Sequence, residues 1–118
     1  MAEKCAYTLD QVGYLVRDIQ QSTQALENLL GIGPFEIHTW PPAGSDPQSY
    51  LNGRRTDWRM DIGFAPVGSV HLELIQPMGG NPLLEEFLSA QPSGLHHLRF
   101  TVDDLDRAIT DLLSKGCK

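Results

Sequence analysis

The first apolar signal along the chain is alternation. From Leu9 to Val16, Val12, Tyr14 and Val16 fall on one side of an extended strand and Gln11, Gly13 and Leu15 on the other, the period-two pattern of a β-strand. Asp18 follows as a helix N-cap, ahead of a helical stretch that carries Leu26, Leu29 and Leu30 and stops at Gly31 and Gly33. Further strands are predicted over 34–40, 58–67 and 70–76. Residues 41–57, rich in Pro, Gly, Ser and Asp, predict a long loop. Asn81 and Pro82 mark the N-cap and first turn of a short helix. A fifth strand, 95–102, and a second long helix complete the pattern.

The beginning of this pattern recurs. Laid over each other, "DQVGYLVRDI" and "HHLRFTVDDL" match Val16 with Val102, Asp18 with Asp104 and Ile19 with Leu105, and Leu26 matches Leu112 further on, all at an offset of 86 residues. The expectation is one α+β domain over 1–118. Residues 1–90 form a βαβββ module with a short connecting helix, and 91–118 begin a second module cut off after its helix.

Strand parity then sorts the polar residues. Leu98, Phe100 and Val102 are expected to pack under the second helix, with His96 also on that side in a structural role. His97, Arg99 and Thr101 take the opposite side. On the fourth strand His71 and Glu73 share a side that the helices are expected to leave uncovered. Gln11 and His97 occupy matching repeat positions. A curling sheet would bring Gln11, Glu73 and His97 together, one nitrogen and two oxygens suited to a divalent transition metal.

Composition narrows the classes of partner. The 118 residues are 41% hydrophobic and 20% charged, normal for a globular domain, and the net charge of −6 comes without a Lys/Arg cluster. Nucleic acid is not an expected partner. No apolar run approaches the ~20 residues that span a bilayer, and the first ten residues have no apolar signal core. A cytoplasmic protein with no membrane partner is expected. Cys5 and Cys117 have no CxxC neighbours and read as free thiols.

The segments "DQVGYLVRDI…LLGIGPF", "HLELIQPMGGNPLLEEFL" and "GLHHLRFTVDDLDRAI" together resemble the vicinal oxygen chelate superfamily, also called the glyoxalase/bleomycin resistance/dioxygenase family. Within it the nearest likeness is to methylmalonyl-CoA epimerase-like glyoxalase domains. The resemblance implies paired βαβββ modules curving around a metal, with ligands on Gln11, Glu73 and His97. It also implies a fourth ligand, a glutamate on the last strand of a second module, and the sequence stops before any such strand. The implied cofactor is a divalent cation: cobalt, nickel, zinc, manganese or magnesium.

A metal held this way implies a glyoxalase-like enzyme that moves a proton next to a carbonyl, an epimerase, isomerase or lyase acting on an acyl-CoA or small organic acid. Ring-cleaving dioxygenation ranks lower, because Gln11 stands where a second histidine would be wanted. The alternatives are a non-catalytic small-molecule sequestering protein of the drug-resistance type and an inactive truncated fragment. Arg54, Arg55 and Arg59 are candidates for holding a phosphate or carboxylate, with His71 lining the same cleft. The fifth strand's exposed edge predicts a homodimer or larger homo-oligomer.

Overall fold

β1 (Tyr7–Val16) organises the sheet by pairing on both edges, parallel to β6 (Val70–Pro77) and antiparallel to β7 (Ser93–Val102). β5 (Met60–Val67) pairs antiparallel with β6, and β2 (Glu36–Trp40) with β5, giving the five-stranded order β2-β5-β6-β1-β7. This computed structural model describes residues 6–118. Cys5 therefore lies outside the described residues, whereas Cys117 is a free, exposed thiol.

Three helices accompany the sheet: α1 (Ile19–Leu30), α2 (Pro82–Ala90) and α3 (Leu105–Ser114). Each begins where a side chain satisfies the orphan amides of its first turn. Asp18 accepts from Gln21 N, Asn81 from Leu83 N and Leu84 N, and Asp104 from Arg107 N. Gly31, at φ 65°, ends α1 in the left-handed conformation that glycine adopts freely. The Gln76 side chain accepts from Ile19 N at 2.9 Å and so ties the start of α1 to β6.

Two apolar clusters flank the sheet. Val16, Ile19 and Leu74 lie beneath α1 with Leu26, Phe35, Ile37 and Leu72, while Leu15 and Ile75 pack against Leu84 and Leu88 of α2. The second cluster corrects one expectation: α2 covers one end of the face that was expected to be free of helices. On α1 the buried residues are Ile19 and Thr23; Leu29 is 80% exposed and Leu30 also faces solvent. Nor does α3 cover β7, since Leu98 is 48% exposed and Phe100 is exposed as well.

The stretch expected to be a loop contains a hairpin, β3 (Tyr50–Leu51) with β4 (Arg54–Arg55). Its turn is Asn52-Gly53, with φ of 51° and 78°. Two adjacent left-handed residues suit the right-handed twist of a two-residue hairpin, and Asn-Gly is the pair that adopts them most readily. No helix among the described residues is long and apolar enough to cross a membrane.

The repeat spacing is present in the element bounds. β1 and β7 start 86 residues apart and end 86 residues apart, as do the caps Asp18 and Asp104 and the first residues of α1 and α3. Where the two strands pair, Val12 faces Leu98, its own counterpart, so a local twofold axis passes through that pair.

Asn81 is buried and serves two amides of α2, the helix that closes the second apolar cluster. Replacing it with alanine is expected to lower unfolding free energy by about 1–2 kcal/mol, measured by urea denaturation.

Candidate functional site

Side chains from three adjacent strands converge over Gly13. That residue pairs with Glu73 on β6 at one edge of β1 and with His97 on β7 at the other. In a flat row of neighbouring strands, the middle side chain separates the outer two. Here no middle side chain exists. A Cβ at position 13 would overlap the His97 ring, so glycine is what lets the imidazole fold over β1.

Gln11 completes the group from two residues earlier on the same face. His97 Nε2 lies 2.9 Å from Gln11 Oε1 and 3.3 Å from Glu73 Oε1. Gln11 is 5% and Glu73 8% exposed, while the His97 side chain keeps about a third of its surface. The structure thus brings the three predicted residues together. Burial pushes the Glu73 carboxyl above its ordinary value, opposed by the nearby charges of His97 and then Arg99.

Two β-bulges shape the surroundings. Leu9 pairs with Phe100 and Gln11 with Arg99, leaving Asp10 as the extra residue of β1. Gly13 pairs with His97 and Tyr14 with Leu95, leaving His96 as the extra residue of β7. A bulge turns consecutive side chains to one face. Asp10 accordingly joins Gln11 and accepts from Arg99 Nε at 2.6 Å and from the Thr101 hydroxyl. These bonds, Thr101 first, hold its carboxyl below the usual range. His96 joins His97, with Nδ1 to Nδ1 at 2.9 Å, and meets Phe87 of α2 edge-on. The placement of His96 on the helix-facing side is therefore corrected: strict alternation does not survive the bulge. Burial, then His97, lowers the pKa of His96.

The remaining predicted residues stand apart from this cluster. His71 pairs with Gln11 in register but is exposed and borders a shallow depression with Glu36 and Phe64. Arg54 and Arg55 are exposed on β4, and Arg55 is ion-paired with Asp46. Arg55 and Arg59 line a cleft of about 400 Å³ with Trp58 and Asp57, and Trp58 packs against Trp40 with ring centroids 5.7 Å apart and planes tilted by 34°. Arg59 precedes β5 and lies five residues from Phe64, the partner of Glu73, about 16 Å along the strand.

A cation shared by Gln11, Glu73 and His97 in a tetrahedral site would sit about 2.0–2.2 Å from each donor, and donors at that range stand about 3.3–3.6 Å apart. The 3.3 Å contact to Glu73 matches that spacing, the 2.9 Å contact to Gln11 is a hydrogen-bond length from which the amide oxygen would move back by a few tenths of an ångström, and the carboxylate supplies charge when ionised. The residues fit the group. Among the described residues no three His, Cys, Asp or Glu side chains are placed to hold a metal ion together, so a third protein donor here would be the glutamine amide.

Because its folded pKa is raised, Glu73 favours the folded state most below the ordinary value of 4.5, and that contribution is lost as pH rises through the raised value. In chelator-treated protein, Glu73→Gln is expected to gain stability relative to the parent progressively as pH rises above 4.5. Urea denaturation across a pH series measures it; a constant difference would contradict the assignment.

Residues 10–118 match the family model described as Glyoxalase/Bleomycin resistance protein/Dioxygenase superfamily. An uncharacterized Bacillus subtilis protein, YqjC, is 27% identical over 104 residues, 88% of this chain and 64% of that protein. Human mitochondrial methylmalonyl-CoA epimerase is 25% identical over 108 residues, 91% of this chain and 53% of that protein. The chain thus spans between about half and two thirds of the length of these two relatives. The crystal structure of methylmalonyl-CoA epimerase from Mycobacterium tuberculosis superposes with a TM-score of 0.68 at 23% identity, covering 100% of this chain and 71% of that one. That likeness shows a shared fold, the vicinal oxygen chelate fold, in a mixed α+β chain with a five-stranded sheet and three helices. With the family model matching from Asp10 to Lys118, the chain belongs to the glyoxalase/bleomycin resistance protein/dioxygenase superfamily.

Proposed function

We propose that the chain is the metal-binding part of a glyoxalase-like enzyme that promotes proton transfer next to a carbonyl. The observation that carries this reading is the convergence of His97 Nε2, Gln11 Oε1 and Glu73 Oε1 over Gly13. Glu73 and His97 would hold a divalent cation, with Gln11 contributing a neutral oxygen. The chemistry such a cation supplies when bound is polarisation of a carbonyl and stabilisation of the charge left when the neighbouring carbon loses its proton. Burial disfavours the ionised form of Glu73, and a cation beside it would offset that cost, its attraction being little screened by water. The half-exposed side of His97 leaves the substrate a way in.

The similarity to methylmalonyl-CoA epimerase favours an acyl-CoA substrate. The Arg59 side of the sheet, about 16 Å along β5 from the Glu73 row, suits the phosphate-bearing arm of such a long molecule. Arg59 is exposed there, whereas Asp46 engages Arg55 and Arg54 is exposed on the β3–β4 hairpin. His71 sits in register with Gln11 and would border the substrate rather than bind the cation.

Calorimetric titration of chelator-treated protein with nickel or zinc tests the reading. One cation per chain is expected, with binding lost in His97→Ala and weakened more by Glu73→Gln than by His71→Ala. Gly13→Ala, which adds no donor and removes none, is expected to weaken binding at least about tenfold by displacing the ring, comparable to losing a supporting contact. Full affinity in His97→Ala would refute the proposal.

We also infer that two copies associate through β7. Among the described residues its outer edge has no strand partner, and its face away from the site exposes Leu95, Leu98 and Phe100. Antiparallel β7–β7 pairing about a twofold axis is self-complementary, satisfies both open edges and sets the two apolar faces side by side. Sedimentation equilibrium at micromolar concentration is expected to report a dimer or larger, shifted toward monomer by Leu98→Lys. A stable monomer of the parent protein would contradict it.

A further inference from the structure

The paired histidine rings constrain each other's hydrogens. His97 Nε2 faces two oxygens, the Gln11 amide oxygen and the Glu73 carboxylate, at 2.9 and 3.3 Å. Both are acceptors, so in the cation-free protein Nε2 carries the ring hydrogen. His97 Nδ1 is then the acceptor of a neutral ring. It lies 2.9 Å from His96 Nδ1, with the ring planes at 88°. Two bare nitrogens at that distance would repel, so the contact is a hydrogen bond only when His96 carries its hydrogen on Nδ1.

His96 is held in place for this by two features. The bulge turns it to the His97 face, and Phe87 of α2 packs edge-on against its ring at 6.3 Å. The same device occurs 86 residues earlier, where the bulge residue Asp10 stands beside Gln11 and is fixed by Arg99 and Thr101.

We propose that His96 is a positioning residue: it holds the His97 ring over Gly13 and sets which His97 nitrogen is bare. For the cation-bound state this rests on the ligand reading given above. With a cation held at Nε2, His97 would have given that hydrogen up to solvent as a proton. The hydrogen between the two rings passes from His96 Nδ1 to His97 Nδ1, and His96 Nε2 takes up a proton from solvent. No net charge is gained on the ring pair. His96 changes from donor to acceptor, the role that outer partners of metal-binding histidines take.

Nitrogen-15 ring spectra of the labelled chain, recorded above the imidazole range of about 6.5, test this in chelator and then with zinc chloride. Without zinc, His96 is expected as the Nδ1–H tautomer and His97 as Nε2–H, with a coupling through the hydrogen bond between their Nδ1 atoms. Zinc is expected to reverse both tautomers. His96→Phe preserves the packing on Phe87 but should lose the coupling, let the His97 ring leave Gly13, and weaken zinc binding about tenfold. His96→Asn, which can donate or accept, should restore most of the affinity. An Nε2–H His96 in the zinc-free protein, or a His96 ring unmoved while zinc shifts His97, overturns the proposal. If zinc moves neither ring the ligand reading fails instead, and the zinc-free spectra still decide this one. His97 keeping its contacts over Gly13 in His96→Phe would overturn it.

Discussion

A glycine in the middle of a strand costs about 0.5–1 kcal/mol relative to alanine, and β1 carries one at position 13, between Glu73 and His97 in the sheet. What it permits is a contact that sheet geometry otherwise forbids. Side chains two strands apart are about 9–10 Å from each other at their roots, yet the His97 ring and the Glu73 carboxylate meet at 3.3 Å. The ring lies where the Gly13 side chain would be. Gln11, next along the same face, then finds His97 within hydrogen-bonding distance. Every polar contact in the group follows from that one vacancy in the side-chain layer.

The surrounding fold protects this arrangement by dividing labour between faces. Under α1, Val16, Ile19 and Leu74 form an apolar cluster. On the other face α2 seals the end of the sheet with Leu84 and Leu88 over Leu15 and Ile75, and meets the polar side chains through Phe87, edge-on to His96. The two bulges crowd two polar side chains where a regular strand would place one. Asp10 and Arg99 neutralise each other close to the site, with Thr101 completing the bond set of Asp10.

Much of this was legible because each piece has a local cause. Alternation located the main strands, and Asp18, Asn81 and Asp104 are side chains that can cap. Parity together with the 86-residue repeat pointed to Gln11, Glu73 and His97. Parity failed at His96 because one extra residue in a strand reverses the count and leaves no trace in residue type. The β3–β4 hairpin did carry a signal, the Asn52-Gly53 pair, masked by the loop-forming residues around it. Leu29 and Leu30 look like core residues by type. Leu29 lies off the stripe of Ile19, Thr23 and Leu26, whereas Leu30 is on that stripe but in the last turn and still 67% exposed, and residue type cannot report how far along the helix the stripe stays covered. The space over Gly13 was legible only as a glycine in a strand; its use depends on neighbours 60 and 84 residues away.

The pairing of β1 with β7 also has a thermodynamic consequence. Closing a chain segment on itself costs entropy that grows as the logarithm of its length, about (3/2)RT for each unit of ln n, and Gln11 and His97 are separated by 86 residues. β7 is the last strand of the sheet and is held along one edge. Any species bridging Gln11 and Glu73 to His97 acts as a clasp across that closure, because the donor set exists only while the two strands are zipped together. Its binding energy adds directly to the docking of the edge strand, in proportion to the logarithm of its concentration above its dissociation constant. Amide exchange along Ser93–Val102 should therefore slow as the site fills, coupling occupancy of the polar cluster to the integrity of the strand farthest from β2.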